Sequence, residues 1–246
     1  MLGKLIKYDF KAMSHAMLPI YLATIVLTAL FSLMVKFDIE EGFIFSVFTF
    51  LFITALFGSM FATVFFTVSR FTRGLLKNEG YLSFALPVDT ATHIAAKVIN
   101  ALIWGVMEAV LMMICFLVMG LFMGSVADVR EFFVEMFRAL GLVEKEVLLA
   151  SLKIILYMTL EMISSICLIY SGFAIAHMFE KYQKLIIAAF FIVVSVLRSS
   201  VLRLLMGANF RGNPFDNIVL YLVPVIFTVI YSVITWYILD RKLNLE

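Results

Sequence analysis

Apolar residues come in long runs along this chain, and polar residues fall in the short breaks between them. Runs near 16–35, 43–69, 93–123, 148–174, 185–206 and 218–239 are each long enough to cross a bilayer as a helix. A hydrocarbon core of about 30 Å takes roughly 20 helical residues at 1.5 Å apiece. The second and third runs exceed that length, so their helices are expected to tilt or to project beyond the lipid. Pro224 lies inside the sixth run, where a membrane helix tolerates it and is expected to kink. The pattern predicts an all-α polytopic membrane protein, six transmembrane helices in one domain covering residues 1–246.

Two further segments are amphipathic rather than uniformly apolar. At the N-terminus, residues 1–14, Leu2, Leu5, Ile6, Phe10 and Met13 recur at helical spacing while Lys4, Lys7 and Lys11 fall on the other face. An apolar stripe backed by lysines describes a helix lying in the inner membrane surface, distinct from the first span. The alternative is that these residues begin one long first helix. Between the third and fourth runs, within 125–147, Val129, Phe132, Phe133, Met136, Phe137 and Leu140 fit the helical template without a gap. Asp128 is the expected N-cap and Gly141 the expected stop. That helix is expected to lie on the outer leaflet or to roof the bundle.

Composition agrees with the pattern. The hydrophobic fraction is 64% in 246 residues, above the roughly 45–50% usual for soluble domains, and six spans leave no room for a soluble catalytic domain. The net charge of +2 is uninformative, but the placement of charge is not. With the N-terminus inside, eleven Lys and Arg fall on the inner side and eight on the outer side, while the acidic residues concentrate outside. By the positive-inside rule both termini are expected in the cytoplasm. The N-terminal charges alternate with apolar residues and no small-residue cleavage site precedes Pro19, so a cleavable signal is not expected.

The second and third runs are joined by an inner loop, 70–92, whose middle reads Asn78-Glu79-Gly80-Tyr81-Leu82-Ser83-Phe84-Ala85-Leu86-Pro87-Val88. Asn78 can cap a short helix that Pro87 ends, because proline disfavours helical geometry in the residue before it. Asp89 or Thr90 then caps the third span. Tyr81, Leu82 and Phe84 form a compact aromatic patch flanked by Arg70, Arg73, Lys77 and Lys97. Something must cover such a patch, and a protein partner fits better than lipid.

Recognisable catalytic chemistry is missing from the sequence. No GxxxxGK[ST], GxGxxG, HExxH or GxSxG occurs, so no catalytic residue is assigned and the chain is not expected to be an enzyme. Cys115 and Cys167 sit in apolar runs without CxxC spacing or metal-ligand company, so neither a disulfide nor a metal site is expected. His15, His93 and His177 fall near predicted inner helix ends and read as interfacial residues. The intramembrane ionisable residues are Glu108, Glu161 and Arg198. Charge at such depth is costly unless paired. Counting turns inward puts Arg198 level with Glu108 and leaves Glu161 deeper, so an Arg198–Glu108 pair that fixes helix packing is the expectation. Six hydroxyl residues of the second run, Ser46, Thr49, Thr54, Ser59, Thr63 and Thr67, suit a dimer seam, a pathway or plain helix packing.

The N-terminal Met1-Leu2-Gly3-Lys4-Leu5-Ile6-Lys7-Tyr8-Asp9-Phe10-Lys11, the six runs, and Asn78-Glu79-Gly80-Tyr81-Leu82 followed by Leu86-Pro87-Val88 resemble bacterial ABC transporter permeases. The class is the second exporter type with the G-subfamily fold, as found in Firmicutes. The resemblance implies an interfacial elbow helix over about Leu2 to Ser14 and a coupling helix over about Asn78 to Leu86. It carries ATPase-coupling residues onto Asn78, Glu79, Gly80, Tyr81, Leu82, Phe84 and Pro87. It further implies a second permease protomer, a separate cytoplasmic ATP-binding subunit holding ATP and Mg, membrane lipids around both, and no nucleic acid. Relatives of this size often export antimicrobial or toxic peptides, or confer immunity to them. The competing classes are a membrane sensor or scaffold subunit, an exporter of a lipid or small drug, and an ion-coupled transporter. The last is disfavoured by the lack of internal repeats.

The charge pattern makes the orientation testable. In a version lacking Cys115 and Cys167, Ser125→Cys should react with an impermeant thiol reagent on intact cells, and Gln183→Cys only after lysis. The reverse pattern overturns the orientation.

Overall fold

In the computed structural model the chain is all-α and multi-pass, with six helices long and apolar enough to cross a membrane. The structure describes residues 2–39, 42–76, 88–123, 131, 134, 145–179, 181–207 and 214–241. The helices are α1 (Leu2–Lys36), α2 (Phe43–Phe71), α3 (Thr90–Met123), α4 (Lys145–His177), α5 (Gln183–Met206) and α6 (Val219–Arg241). Two expected elements lie outside the described residues: the short helix from Asn78 to Leu86 and, apart from helical Glu131 and Val134, the outer amphipathic helix.

The N-terminal expectation needs correction. Leu2–Lys36 is one uninterrupted helix of 35 residues, with no break between an elbow and a first span. Ser14 to Leu18 contains no glycine or proline to stop it. Pro19 deprives only the His15 carbonyl of its donor, while the His15 Nδ1 bonds the Lys11 carbonyl at 2.8 Å. The amphipathic pattern itself is present: Lys4, Lys7 and Lys11 are exposed and Met13 is buried.

Helix α1 ends in a Schellman motif that the sequence reading missed. The Ile39 N–H donates to the Met34 carbonyl at 3.0 Å and the Asp38 N–H to the Val35 carbonyl at 3.1 Å. Asp38 takes the left-handed conformation, φ 55°, a position usually left to glycine but open to Asp, whose short side chain tolerates it. At the far end of α2 the chain widens into a single π turn, Thr72–Leu76. Asp89 is the N-cap of α3, its carbonyl accepting from the N–H groups of Thr92 and His93. Asn217 opens α6, its side-chain oxygen accepting from the Val219 N–H at 3.0 Å.

The helices gather into two compact units. One comprises residues 68–102 and 145–246 with the first six residues. In it α4 and α6 run parallel: Tyr157 meets Tyr221 edge-on at one end, and Tyr170 and Leu239 share a core at the other. Helix α5 runs antiparallel to both and has none of its own residues buried. The other unit comprises residues 7–67 and 103–144. Its core joins Met13, Met17 and Tyr21 of α1 to Trp104, Leu111 and Cys115 of α3. Thr24, Thr28 and Ser32 continue the α1 stripe, each hydroxyl donating to a carbonyl four residues back. Small side chains that satisfy themselves this way let helices approach closely without exposing polar atoms to lipid.

Candidate functional site

Three local arrangements in the described residues carry polar chemistry or frame a functional loop. The first is the base of the loop 70–92. Phe71, Leu75 and Leu76 at the end of α2 are buried with Ile94 and Ala101 of α3, Tyr170 of α4 and Leu239 of α6. Phe71 stacks on Tyr170 with ring centroids 4.0 Å apart and planes within 5°, and the Tyr170 hydroxyl donates to the Lys97 carbonyl at 3.2 Å. The Thr90 hydroxyl donates to Asp240 at 3.3 Å. Both stems of the loop are thus clamped into one core that includes the ends of α4 and α6. His93, read from sequence as interfacial, is buried here, since the first turn of α3 packs inward. Asn78, Glu79, Gly80, Tyr81, Leu82, Phe84 and Pro87 lie outside the described residues.

The second arrangement corrects the expected ion pair. Arg198 on α5 bonds Glu161 on α4 through Nη2 and Oε2, a contact both groups need because neither is fully open to water. Counting turns along separate helices ignores which helices are neighbours; α5 packs on α4, so Arg198 meets the acid that α4 supplies. The pair borders a cavity of about 220 Å³ between α4, α5 and α6, which Ser195, Ser199, Leu220 and Pro224 also line. Pro224 has no N–H for the Leu220 carbonyl, which leaves that oxygen without its usual helical donor. Above the cavity, Tyr157 packs edge-on to Phe215 and Tyr221, and the Tyr221 hydroxyl donates to the Phe215 carbonyl at 2.8 Å. Lys153 then binds Asp216 at 2.5 Å.

No family model, curated protein or solved structure matches the chain. Its own residues are therefore the evidence for its role.

Glu108 forms the third arrangement. It is buried, and its carboxyl is held by hydroxyls of α2: Ser59 at 2.8 Å on Oε1 and Thr63 at 2.7 Å on Oε2. Tyr21 of α1 bonds Thr63 at 3.2 Å. Ser59 also reaches the Leu56 carbonyl at 2.9 Å. Thr63 likewise reaches the Ser59 carbonyl at 3.1 Å. Each of the two hydroxyls thus has both the carboxyl and a carbonyl of its own helix within reach. The i, i+4 spacing of Ser59 and Thr63 was the sequence signal for this seam, and the six-hydroxyl pattern hid it among residues that simply bond their own helix, as Ser46 and Thr49 do.

These geometries separate the two acids experimentally. Glu108→Gln keeps the shape, and its amide can donate to Ser59 while the Ser59 hydroxyl turns to the Leu56 carbonyl, so its melting temperature should stay within a few degrees of wild type. Glu108→Ala removes both interhelical hydrogen bonds and leaves a cavity, and should lose about 2–4 kcal/mol in a reversible unfolding assay. For the other pair, Arg198→Gln and Glu161→Gln should each destabilise. The double variant should fall short of the summed losses by on the order of 1 kcal/mol, whereas Arg198→Gln combined with Glu108→Gln should be additive.

Proposed function

We propose that the chain is the membrane subunit of an ATP-driven exporter in a bacterial cytoplasmic membrane. Two such protomers would work with a separate cytoplasmic ATPase to move small amphipathic or hydrophobic peptides outward. The observation that carries this reading is the clamped base of the loop between α2 and α3. A loop presenting Tyr81, Leu82 and Phe84 transmits force only if its stems are rigid. Here the stems share a core with α4 and α6 through Phe71, Leu75, Leu76, Ile94, Tyr170 and Leu239. Pushing on the loop then moves helices, not slack chain. Burying one large side chain in a partner's groove stabilises by roughly 1.5–3 kcal/mol, so three such side chains suffice for docking.

Other features support the same reading. The sequence holds no nucleotide-binding motif, which assigns hydrolysis to a partner. Each acid within the spans is engaged locally, Glu161 by Arg198 and Glu108 by hydroxyls, a poor arrangement for a proton relay across the bilayer. Exposed Phe43, Phe50 and Phe57 recur every seven residues on α2 and offer a face for a second protomer. With both termini in the cytoplasm, the loop faces the ATPase.

The test is coexpression with candidate ATP-binding subunits, beginning with any encoded beside this chain. Tyr81→Ala with Phe84→Ala should leave the melting temperature unchanged, and should weaken co-purification or uncouple hydrolysis from transport. In proteoliposomes a cationic amphipathic peptide should raise hydrolysis and be carried across. Stimulation by a lipid or small drug instead would change the substrate class. Failure of any ATPase to bind would overturn the transporter reading.

A further inference from the structure

The cavity beside Arg198 and Glu161 lies at a definite depth. Along α4, Tyr157 to His177 spans about 30 Å at 1.5 Å per residue, the thickness of the hydrocarbon core. Tyr221 to Arg241 on α6 spans about 30 Å as well, and Lys184 to Arg203 on α5 about 28 Å. Three helices therefore place Tyr157, Arg203 and Tyr221 at one level, about a hydrocarbon thickness from their opposite ends. Tyrosines and cationic residues favour that level. Glu161, one turn below Tyr157, and Arg198 sit about 6–8 Å beneath it. Charged groups at such depth are accommodated by local thinning of the bilayer, which brings headgroups toward them.

The polar groups around the cavity are incompletely used. A guanidinium has five N–H groups, and the Glu161 bond engages Arg198 through Nη2 alone, with no other partner for it among the described residues. Glu161 likewise keeps Oε1 unbonded among the described residues, and Pro224 leaves the Leu220 carbonyl without its helical donor. The site thus offers both unused donors and unused acceptors, carried by a pair with no net charge. At about 220 Å³ it is smaller than the roughly 300–1,000 Å³ of a site for a whole drug-sized ligand. Access is lateral, because Ser195 and Ser199, which line the cavity from α5, are exposed.

From these observations we propose that the cavity binds the headgroup of a zwitterionic aminophospholipid. The phosphate would sit on the unused Arg198 N–H groups, and the ammonium would donate to Glu161 Oε1 and the Leu220 carbonyl. The acyl chains would remain in the bilayer along α5. A neutral ion pair matches a neutral zwitterion, whereas a purely anionic headgroup would compete with Glu161 for Arg198 without compensating Glu161. A trimethylated amine, having no N–H, forgoes the acceptor side. The site is independent of whether the chain transports peptides.

The experiment uses the full chain, delipidated in detergent and titrated with phosphatidylethanolamine, phosphatidylcholine or phosphatidylglycerol of the same acyl composition. Bound lipid is counted by native mass spectrometry. Phosphatidylethanolamine should bind at least fivefold more tightly than the other two. Ser195→Phe should fill the cavity from the exposed face of α5, leave the lipid-free melting temperature within a few degrees, and abolish the preference. Arg198→Gln should weaken binding too, but Ser195→Phe decides the matter if that variant folds poorly. Equal retention of the three lipids, preference for phosphatidylglycerol, or an unchanged preference in Ser195→Phe would each overturn the proposal.

Discussion

Below the headgroups a polar group has no water to fall back on, and every part of this structure bends to that constraint. Backbone groups meet it by forming helices. Side chains meet it by three local solutions. Hydroxyls on α1 donate to their own helix, as Thr24, Thr28 and Ser32 do. Glu108 takes its bonds from two hydroxyls one turn apart on α2. Glu161 takes a cation from the neighbouring α5. The last two also fix a register between helices, so there satisfying polar groups and choosing a packing are one event.

The unit built from α4, α5 and α6 with the α2–α3 stems joins two functional regions on a single frame. At one end Phe71 and Tyr170 close an aromatic core at the base of the loop 70–92. At the other, Tyr157, Phe215 and Tyr221 sit by a small cavity that holds the Arg198–Glu161 pair. Parallel α4 and α6 run between them. A push at the loop base therefore acts on the same helices that line the cavity. The π turn at Thr72–Leu76 falls where such a push would enter, and π turns are common at functional positions because they shift side-chain phase within a helix.

Helix α5 stands apart energetically. It is apolar enough to span and yet buries none of its residues in the chain. Arg198 and the apolar contacts of Val194, Val201 and Leu202 hold it to α4 and α6. In lipid there is little hydrophobic gain from covering such a helix further, so its exposed face needs no partner for stability.

The sequence by itself determined the number of spans, their approximate limits and the all-α class, because apolar run length against bilayer thickness is a one-dimensional quantity. It also determined which residues would matter at depth: Glu108, Glu161 and Arg198 stand out by charge alone. Tertiary structure decided everything that depends on neighbours. Depth counting matched Arg198 to Glu108, but partners are set by which helices touch, and α5 lies on α4. The separate elbow vanished into a continuous α1 because amphipathicity marks a face without marking an end, and nothing between Ser14 and Leu18 stops a helix. The turn after Lys36 was illegible for a related reason: Asp38 does the work of a glycine, a substitution that only backbone geometry reveals. The cavity under Tyr157 could not be read at all, since its walls come from three helices whose side-chain phases no single run of sequence records.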